Sequence, residues 1–170
     1  MEIHVFATAP GRGRLIWPGG QAPCALGRNG IARDKREGDG CTPTGDFPLR
    51  RLLWRADRLG AAPATGLPAA PIAADDGWCD APDDPLYNRP VKLPYAASAE
   101  TMMRDDALYD LVVVIGHNDD PVVPGAGSAV FLHVAPPDNG STAGCVALEA
   151  ATLLRLLADC DTGTRLIVHP

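Results

Sequence analysis

A histidine and a cysteine at the two ends of one short loop form the strongest chemical signal in the sequence. His133 closes an apolar run, and Gly144 precedes Cys145 at the far end of the loop. A cysteine attacks a carbonyl carbon as its thiolate, and a nearby imidazole can take the thiol proton. The N–H groups of Gly144 and Cys145, with Thr142 in the same loop, are candidates for stabilising a developing oxyanion. The pattern indicates nucleophilic attack on a carbonyl carbon.

Spacing alone also fits a structural role for the same residues. A cysteine that follows glycine at the edge of a helix is more often a buried small hydrophobe than a nucleophile. A histidine at a strand end is usually a packed or surface side chain. Local spacing therefore leaves catalysis the less common of the two interpretations, and the rest of the chain must decide between them.

Strands and one helix are expected to position this pair. The run 128–134 predicts a strand with Phe131 and His133 on one face. Leucines at helical spacing predict one main helix over 149–159, directly after Cys145, where its N-terminus would favour a thiolate. The other predicted elements are strands at 3–7, 13–17, 24–31, 47–55, 111–115 and 165–169, a solvated turn at 33–46, irregular loops at 56–100 and a helical turn at 98–106. The predicted fold class is mostly β.

Composition limits the remaining functions. A chain of 170 residues fits a single domain, residues 1–170, and we expect a monomer. The formal net charge of −6 and the absence of a basic stripe argue against nucleic-acid binding. No apolar run is long enough for a membrane segment, and the N-terminus lacks the pattern of a signal peptide. The five cysteines contain no CxxC pair, which argues against a zinc ribbon.

The wider set of motifs resembles the L,D-transpeptidases, the YkuD-type catalytic domain. Thr142-Ala143-Gly144-Cys145, preceded by Phe131-Leu132-His133, is similar to the active-site motif of that family. Other similar segments are Gly27-Arg28-Asn29-Gly30, Lys35-Arg36-Glu37-Gly38-Asp39-Gly40, Thr42-Pro43-Thr44-Gly45, Tyr87-Asn88-Arg89-Pro90 and Gly116-His117-Asn118. The resemblance spans nearly the whole chain and makes catalysis the favoured interpretation.

This resemblance implies a fold, a substrate and a mechanism. The fold is a β-sandwich-like catalytic domain, and the substrates are peptidoglycan stem peptides in the periplasm or cell envelope. Cys145 attacks an L,D-peptide bond, a thioester acyl-enzyme forms, and the amine of a second stem peptide resolves it, with His133 moving the protons. No metal and no cofactor are needed. Carbapenems are expected to acylate the same cysteine.

The sequence departs from the family pattern beside the nucleophile. The histidine that usually precedes Gly-Cys is replaced by Ala143, the loop from His133 to Cys145 is shorter, and Val134 stands where Ser or Gly is common. His117 ends the neighbouring predicted strand. We hypothesise that it sits beside His133 and either polarises the site or takes over the role of the missing histidine.

Several further residues are candidates for substrate binding. Arg28, Lys35 and Arg89 are suited to stem-peptide carboxylates, because guanidinium and ammonium groups pair with them. Surface solubility explains the same three residues equally well. The remaining candidates, for which roles in turns or packing compete, are Tyr87, Asn88, His117 and Asn118.

Three functional alternatives stay open at the level of sequence. The first is a transpeptidase that forms cross-links, either between two diaminopimelates or between L-alanine and diaminopimelate. The second is an L,D-carboxypeptidase or cross-link-cleaving amidase that uses the same acyl-enzyme. The third is an inactive wall-binding module with a structural Cys145. The missing export signal also leaves a cytoplasmic location open.

Overall fold

Alternation of apolar and polar residues builds the strands of the central sheet. In this computed structural model, which describes residues 1–138 and 140–170, β2 buries Gly13, Leu15 and Trp17 and exposes the residues between them. The strands are β1 (Glu2–Ala9), β2 (Arg12–Trp17), β3 (Gly20–Ala25), β4 (Ile31–Ala32), β5 (Thr42–Pro43), β6 (Gly45–Trp54), β7 (Ala69–Pro71), β8 (Asp76–Cys79), β9 (Pro90–Lys92), β10 (Ala99–Thr101), β11 (Leu111–Ile115), β12 (Phe131–Val134), β13 (Val146–Leu148) and β14 (Arg165–Val168). The helices are α1 (Ala56–Leu59) and α2 (Ala150–Ala158).

The main sheet closes on itself through the long strand β6. Its strand order is β11-β12-β13-β3-β2-β1-β14-β6-β7. The first part of β6 pairs with β14 over residues 45–48, and the remainder pairs with β11 over residues 49–54. Because β6 contacts both β14 and β11, the strands from β11 to β6 form a ring, and β7 is added outside it. The predicted mostly-β fold is confirmed, and the sandwich-like sheet is a closed barrel.

The interior of the barrel holds the main hydrophobic core. Fully buried side chains from opposite strands meet there, including Leu15, Leu132 and Leu148. Helix α2 adds three buried leucines to the same core, at positions 153, 156 and 157. Burying a leucine contributes roughly 1.5–3 kcal/mol, so this interior is the main source of stability.

A second layer covers the outer face of β11 and β12. Strands β8, β9 and β10 form a three-stranded sheet, and Trp78 from β8 packs edge-on against Phe131 at 5.1 Å between ring centroids. Met102 and Tyr109 join this second cluster, which also contains Cys145. The prediction of irregular loops over 56–100 is therefore wrong, because short strands there are held by tertiary pairing that local composition does not encode.

The elements around Cys145 also differ from prediction. Cys145 does not enter a helix directly, because β13 lies between it and α2. The N-terminus of α2 is capped instead by Glu149, whose carboxylate accepts from the amides of Ala151 and Thr152. The prediction that the N-terminus of this helix favours a thiolate at Cys145 is therefore wrong. The helix itself, predicted over 149–159, is confirmed.

Three smaller predictions also need correction. Strand β3 occupies residues 20–25 rather than 24–31, and β12 begins at Phe131 rather than at residue 128. Residues 98–106 contain β10 instead of a helical turn, because Glu100 pairs with Trp78. Among the described residues, no helix has the length and apolar character needed to cross a membrane.

Candidate active site

Cys145 lies directly before β13, on the outer face of the barrel. Its Sγ accepts a hydrogen bond from the Phe131 N–H and donates one to the Ala129 carbonyl, each at 3.3 Å. The side chain is buried, with 8% of the residue exposed. Burial raises the pKa of this thiol to about 12, because a buried thiolate loses its hydration. At neutral pH the resting residue is a protonated thiol.

His133 lies on β12 and is equally buried. Its Nδ1 lies 2.8 Å from the Val134 carbonyl oxygen, which can only accept, so Nδ1 carries the proton and Nε2 is the basic nitrogen. The Tyr109 ring packs edge-on against the imidazole at 5.4 Å between centroids. Burial lowers the pKa of His133 to about 4, so the imidazole is neutral at neutral pH.

The two residues share the wall of one cavity, called here the Cys145 cavity, of about 300 Å³. Strands β12 and β13 run parallel, with Leu132 opposite Val146 and His133 opposite Ala147. This register places Cys145 beside Phe131, two register positions from His133 on the same face. Among the described residues, no hydrogen bond joins Sγ to the imidazole, because the thiol donates to Ala129. The structure therefore places the predicted pair together in a resting, neutral arrangement.

The backbone conformation directly before Cys145 requires a glycine at position 144. Its φ of +148° disfavours other residues, and a Cβ at this position would lie 2.8 Å from the Cys41 carbonyl oxygen. The Gly144 N–H donates to Thr142 Oγ1 at 3.1 Å, and the Thr142 hydroxyl donates to the Cys145 carbonyl at 2.7 Å. The expectation that the Gly144 N–H faces an oxyanion is therefore wrong. Thr142 holds the loop instead.

The Thr-Pro-x-Gly segment, residues 42–45, packs against the chain that is hydrogen-bonded to the loop before Cys145. Thr42 is 1% exposed, and its hydroxyl accepts from the Gly27 N–H at 2.8 Å. The neighbouring Leu26 carbonyl accepts from the Thr142 N–H at 2.8 Å. The solvated turn that composition predicts is therefore wrong for Thr42 and Pro43, which are buried against the loop of the nucleophile.

Charged groups of both signs line the Cys145 cavity. They are Lys35, Arg104, Glu37, Asp80 and Glu100. Glu100 accepts a hydrogen bond from the Tyr109 hydroxyl at 2.7 Å, and burial raises the pKa of this carboxyl. Asp80 Oδ1 is buried and has no hydrogen-bond partner among the described residues. Lys35 and Arg104 are paired with Asp39 and Asp106, so the unsatisfied buried group of this lining, among the described residues, is an acceptor.

Sequence reasoning found part of this lining. Cys145, His133, Thr142, Gly144 and Lys35 all border the cavity, as expected for a shared site. Residues that the sequence analysis did not single out also line it, namely Glu37, Asp80, Glu100, Arg104 and Tyr109. Glu37 lies within a segment that resembles the family, which was an available signal. The other four depend on the second layer, whose pairing was not predicted.

Other predicted binding residues lie outside the Cys145 cavity. Tyr87 donates to Glu37, which also accepts from the Ser128 hydroxyl at 2.7 Å, so Tyr87 positions a lining carboxylate. Asn118 holds the turn at 118–127 through bonds to the Val123 and Gly127 backbone. Arg28 is exposed, and Arg89 lines a separate cavity.

The hypothesis that His117 sits beside His133 is wrong, and a role for His117 in place of the missing histidine stays a prediction. In the antiparallel register of β11 and β12, His133 lies opposite Val112. His117 is five residues further along the chain, which at about 3.3 Å per residue is roughly 16 Å of extended chain. Its Nε2 lies 3.0 Å from the Ala126 carbonyl oxygen, and its ring packs edge-on against Phe47. His117 therefore serves the turn at the opposite end of the strand.

Asn88 connects the second layer to the backbone of Ala129, which contacts Cys145. Its Oδ1 accepts from Trp78 Nε1 at 2.9 Å and from the Ala129 N–H at 3.1 Å. Its Nδ2 donates to the carbonyls of His117 and Asn118. Ala129 has a φ of +50°, a strained value for alanine, and its carbonyl accepts from Cys145 Sγ. Asn88 thus stabilises the strained residue that contacts the thiol.

The substitution Asn88→Ala is expected to lower the free energy of unfolding by roughly 2–4 kcal/mol, because it leaves buried donors and acceptors unsatisfied. Urea unfolding followed by tryptophan fluorescence measures the change. Asn29→Ala is the matched control, since Asn29 makes an exposed bond to the Asp39 carbonyl, and its cost should be about 1 kcal/mol or less. Equal costs for the two variants would contradict the role given to Asn88.

Comparison with known proteins gives the family of the chain. The family model of the L,D-transpeptidase catalytic domain, YkuD, matches residues 5–168. The chain therefore belongs to the L,D-transpeptidase catalytic-domain family, as its motifs suggest. No curated protein and no solved structure matches the chain.

A neutral thiol–imidazole pair predicts a steep pH dependence for the reactivity of Cys145. Alkylation needs the thiolate, whose fraction increases about tenfold per pH unit below the thiol pKa. We expect the rate of iodoacetamide modification at Cys145, followed by peptide mass mapping, to increase in this way between about pH 6 and pH 9. A rate that is already constant above about pH 6 would indicate a thiolate–imidazolium pair and contradict the neutral arrangement.

Proposed function

We propose that the protein is a peptidoglycan L,D-transpeptidase in which Cys145 is the nucleophile and His133 the general base. The observation that carries this proposal is the shared cavity: in a chain of this family, the one cysteine at the motif position and a neutral histidine border the same pocket. The family acts on peptidoglycan, which makes stem peptides the proposed substrate and the cell envelope the proposed location.

The first step forms a thioester at Cys145. Sγ turns from the Ala129 carbonyl toward the substrate and attacks the carbonyl carbon of the L,D-peptide bond, while His133 Nε2 takes the thiol proton. The pKa values of about 12 for the thiol and about 4 for the imidazole disfavour proton transfer before attack. Proton transfer therefore accompanies formation of the S–C bond, as in general base catalysis.

Collapse of the tetrahedral intermediate releases the terminal D-amino acid. The Cys145 N–H is the proposed oxyanion donor, since the Gly144 N–H donates to Thr142. The C–N bond breaks as His133 returns its proton to the departing nitrogen. The amine of a second stem peptide then attacks the thioester, His133 takes a proton from that amine, and the sulfur leaves and is reprotonated.

The lining charges fit a substrate of this class. Stem peptides that contain a diamino acid carry an ammonium group and carboxylates on the same molecule. The unpartnered Asp80 Oδ1 and the Glu100 carboxyl suit the ammonium group, because a buried acceptor without a donor is costly. Lys35 and Arg104 are the positive groups of the same lining, and a substrate carboxylate would share them with Asp39 and Asp106, with which they pair.

Product analysis on purified stem peptides tests this function. The wild-type protein is expected to convert tetrapeptide stems to cross-linked dimers, detected by mass, and Cys145→Ala to lose at least about 10³-fold in rate. Cys24→Ala is the matched control, because Cys24 is also buried, with a pKa raised to about 12, but lies on the barrel wall outside the Cys145 cavity. It should retain activity.

The form of the products separates transfer from hydrolysis. Dimers support the transpeptidase, whereas shortened monomers alone would assign a carboxypeptidase and overturn the proposal. Unchanged substrate with a folded wild-type protein would also overturn it and favour a wall-binding module. The mass of the cross-linked fragments after digestion distinguishes the two linkage types.

A further inference from the structure

A second cavity, called here the arginine cavity, lies beside the Cys145 cavity. It has a volume of about 490 Å³ and is bordered by three arginines, Arg50, Arg51 and Arg89. Val130 borders both cavities. The Phe131 side chain lines the arginine cavity, while the N–H of the same residue contacts Cys145 Sγ. A ligand in one cavity is therefore close to a ligand in the other.

The arginine cavity has excess positive charge in an acidic protein. Its titratable lining groups are the three arginines, Asp119 and His117. Asp119 pairs with Arg50 Nε at 2.8 Å through its carboxylate, and its carbonyl accepts from Arg89 at 2.6 Å. His117 is neutral at neutral pH, because burial lowers its pKa. The lining of the arginine cavity therefore has one carboxylate and three guanidinium groups, although the chain as a whole has a formal net charge of −6.

Arg51 is the guanidinium that this arrangement leaves without a partner. Among the described residues it has no hydrogen bond and no ion pair, and its Nε is buried. The nearest π contact is weak, with the guanidinium carbon 6.0 Å from the centroid of the Trp78 ring. A buried donor that no protein group satisfies is costly, and a bound acceptor would remove that cost.

The shape and chemistry of the cavity indicate which acceptor fits. A planar guanidinium fork binds a carboxylate with two parallel hydrogen bonds. Trp78, Phe131 and Val114 give the cavity an apolar wall, which suits the body of a peptide next to its carboxylate. The side chain of Arg50 is 47% exposed, so the cavity is reached from solvent on that side.

We infer that the arginine cavity is a carboxylate-binding site for a peptide ligand, in which Arg51 forms the main contact and Arg89 the second. The identity of this ligand rests on the proposed function. The site then holds a carboxylate of the stem peptide while another part of the same substrate reaches Cys145. Arg89, expected from sequence to bind a carboxylate, acts here rather than in the Cys145 cavity.

Direct binding to the Cys145→Ala protein tests the site without requiring catalysis. The probes are an N-acetylated stem tetrapeptide with a free terminal carboxylate, the same peptide with every carboxylate amidated, and inorganic phosphate. Isothermal titration calorimetry is expected to show binding of the free acid that weakens about tenfold or more with Arg51→Gln, in line with the loss of a charged hydrogen bond. The amidated peptide should bind correspondingly more weakly to the unsubstituted protein.

A matched control separates the effect of losing a cavity arginine from the effect of a change in net charge. Arg14→Gln removes one positive charge from an exposed position on β2, and it should change the affinity less than twofold. If Arg51→Gln fails to fold, as judged by thermal unfolding, Arg51→Lys replaces it, since lysine keeps the charge but loses the planar fork. The same weakening is expected of that variant.

The outcomes distinguish this inference from the proposed function. Equal binding of the acid and amide forms, or no effect of Arg51 substitution, would overturn the carboxylate site even if cross-linked products are formed. Tighter binding of phosphate than of the peptide would also overturn it, in favour of a phosphate site. Binding that depends on Arg51 would support the site even if product analysis shows no cross-linking.

Discussion

The parallel pairing of β12 with β13 is the constraint on which the site depends. It places Cys145 two register positions from His133, on the same outer face of the barrel. The inner face of β12 contributes Leu132 and Val134 to the main core, so any shift in register would expose apolar side chains as well as separate the pair. The same core packing that stabilises the fold therefore sets the distance between Cys145 and His133, the proposed nucleophile and base.

The outer face would be solvent-exposed without the second layer. Trp78, Tyr109 and Asn88 cover it, and they bury the thiol and the imidazole so deeply that both rest in their neutral forms. This protects the sulfur from adventitious oxidation and alkylation, since the thiolate is the reactive form. In the proposed mechanism, proton transfer to His133 therefore accompanies attack by Cys145 on the bound substrate.

Sequence reasoning predicted the parts of the molecule that local patterns encode. Alternation and apolar runs predicted β1, β2, β6, β11 and α2, and the motif predicted that Cys145 and His133 share one site, as their common cavity shows. It failed where tertiary pairing decides, as in the short strands β8 to β10. It also misplaced His117 relative to His133, because the register of β11 against β12 cannot be read from local sequence.

Local sequence also did not predict the backbone conformation and hydrogen bonds around Cys145. The strained φ of Ala129 and the capture of the Gly144 N–H by Thr142 follow from contacts with distant segments, and neither residue type announces them. Asp80 Oδ1 and Arg51 Nε, which have no partner in the part of the chain that the structure describes, owe that state to tertiary packing. The charges around those cavities, rather than the motif, distinguish what each can bind.

Covalent trapping at Cys145 is the most direct measurement of the central claim, that this cysteine forms an acyl-enzyme. A carbapenem acylates a nucleophilic thiol when its strained lactam ring opens. Intact-mass spectrometry is expected to show one added carbapenem mass on the wild-type protein, located to the peptide with Cys145, and none on Cys145→Ala. An adduct that persists in Cys145→Ala, or a folded wild-type protein that forms none, would contradict the account.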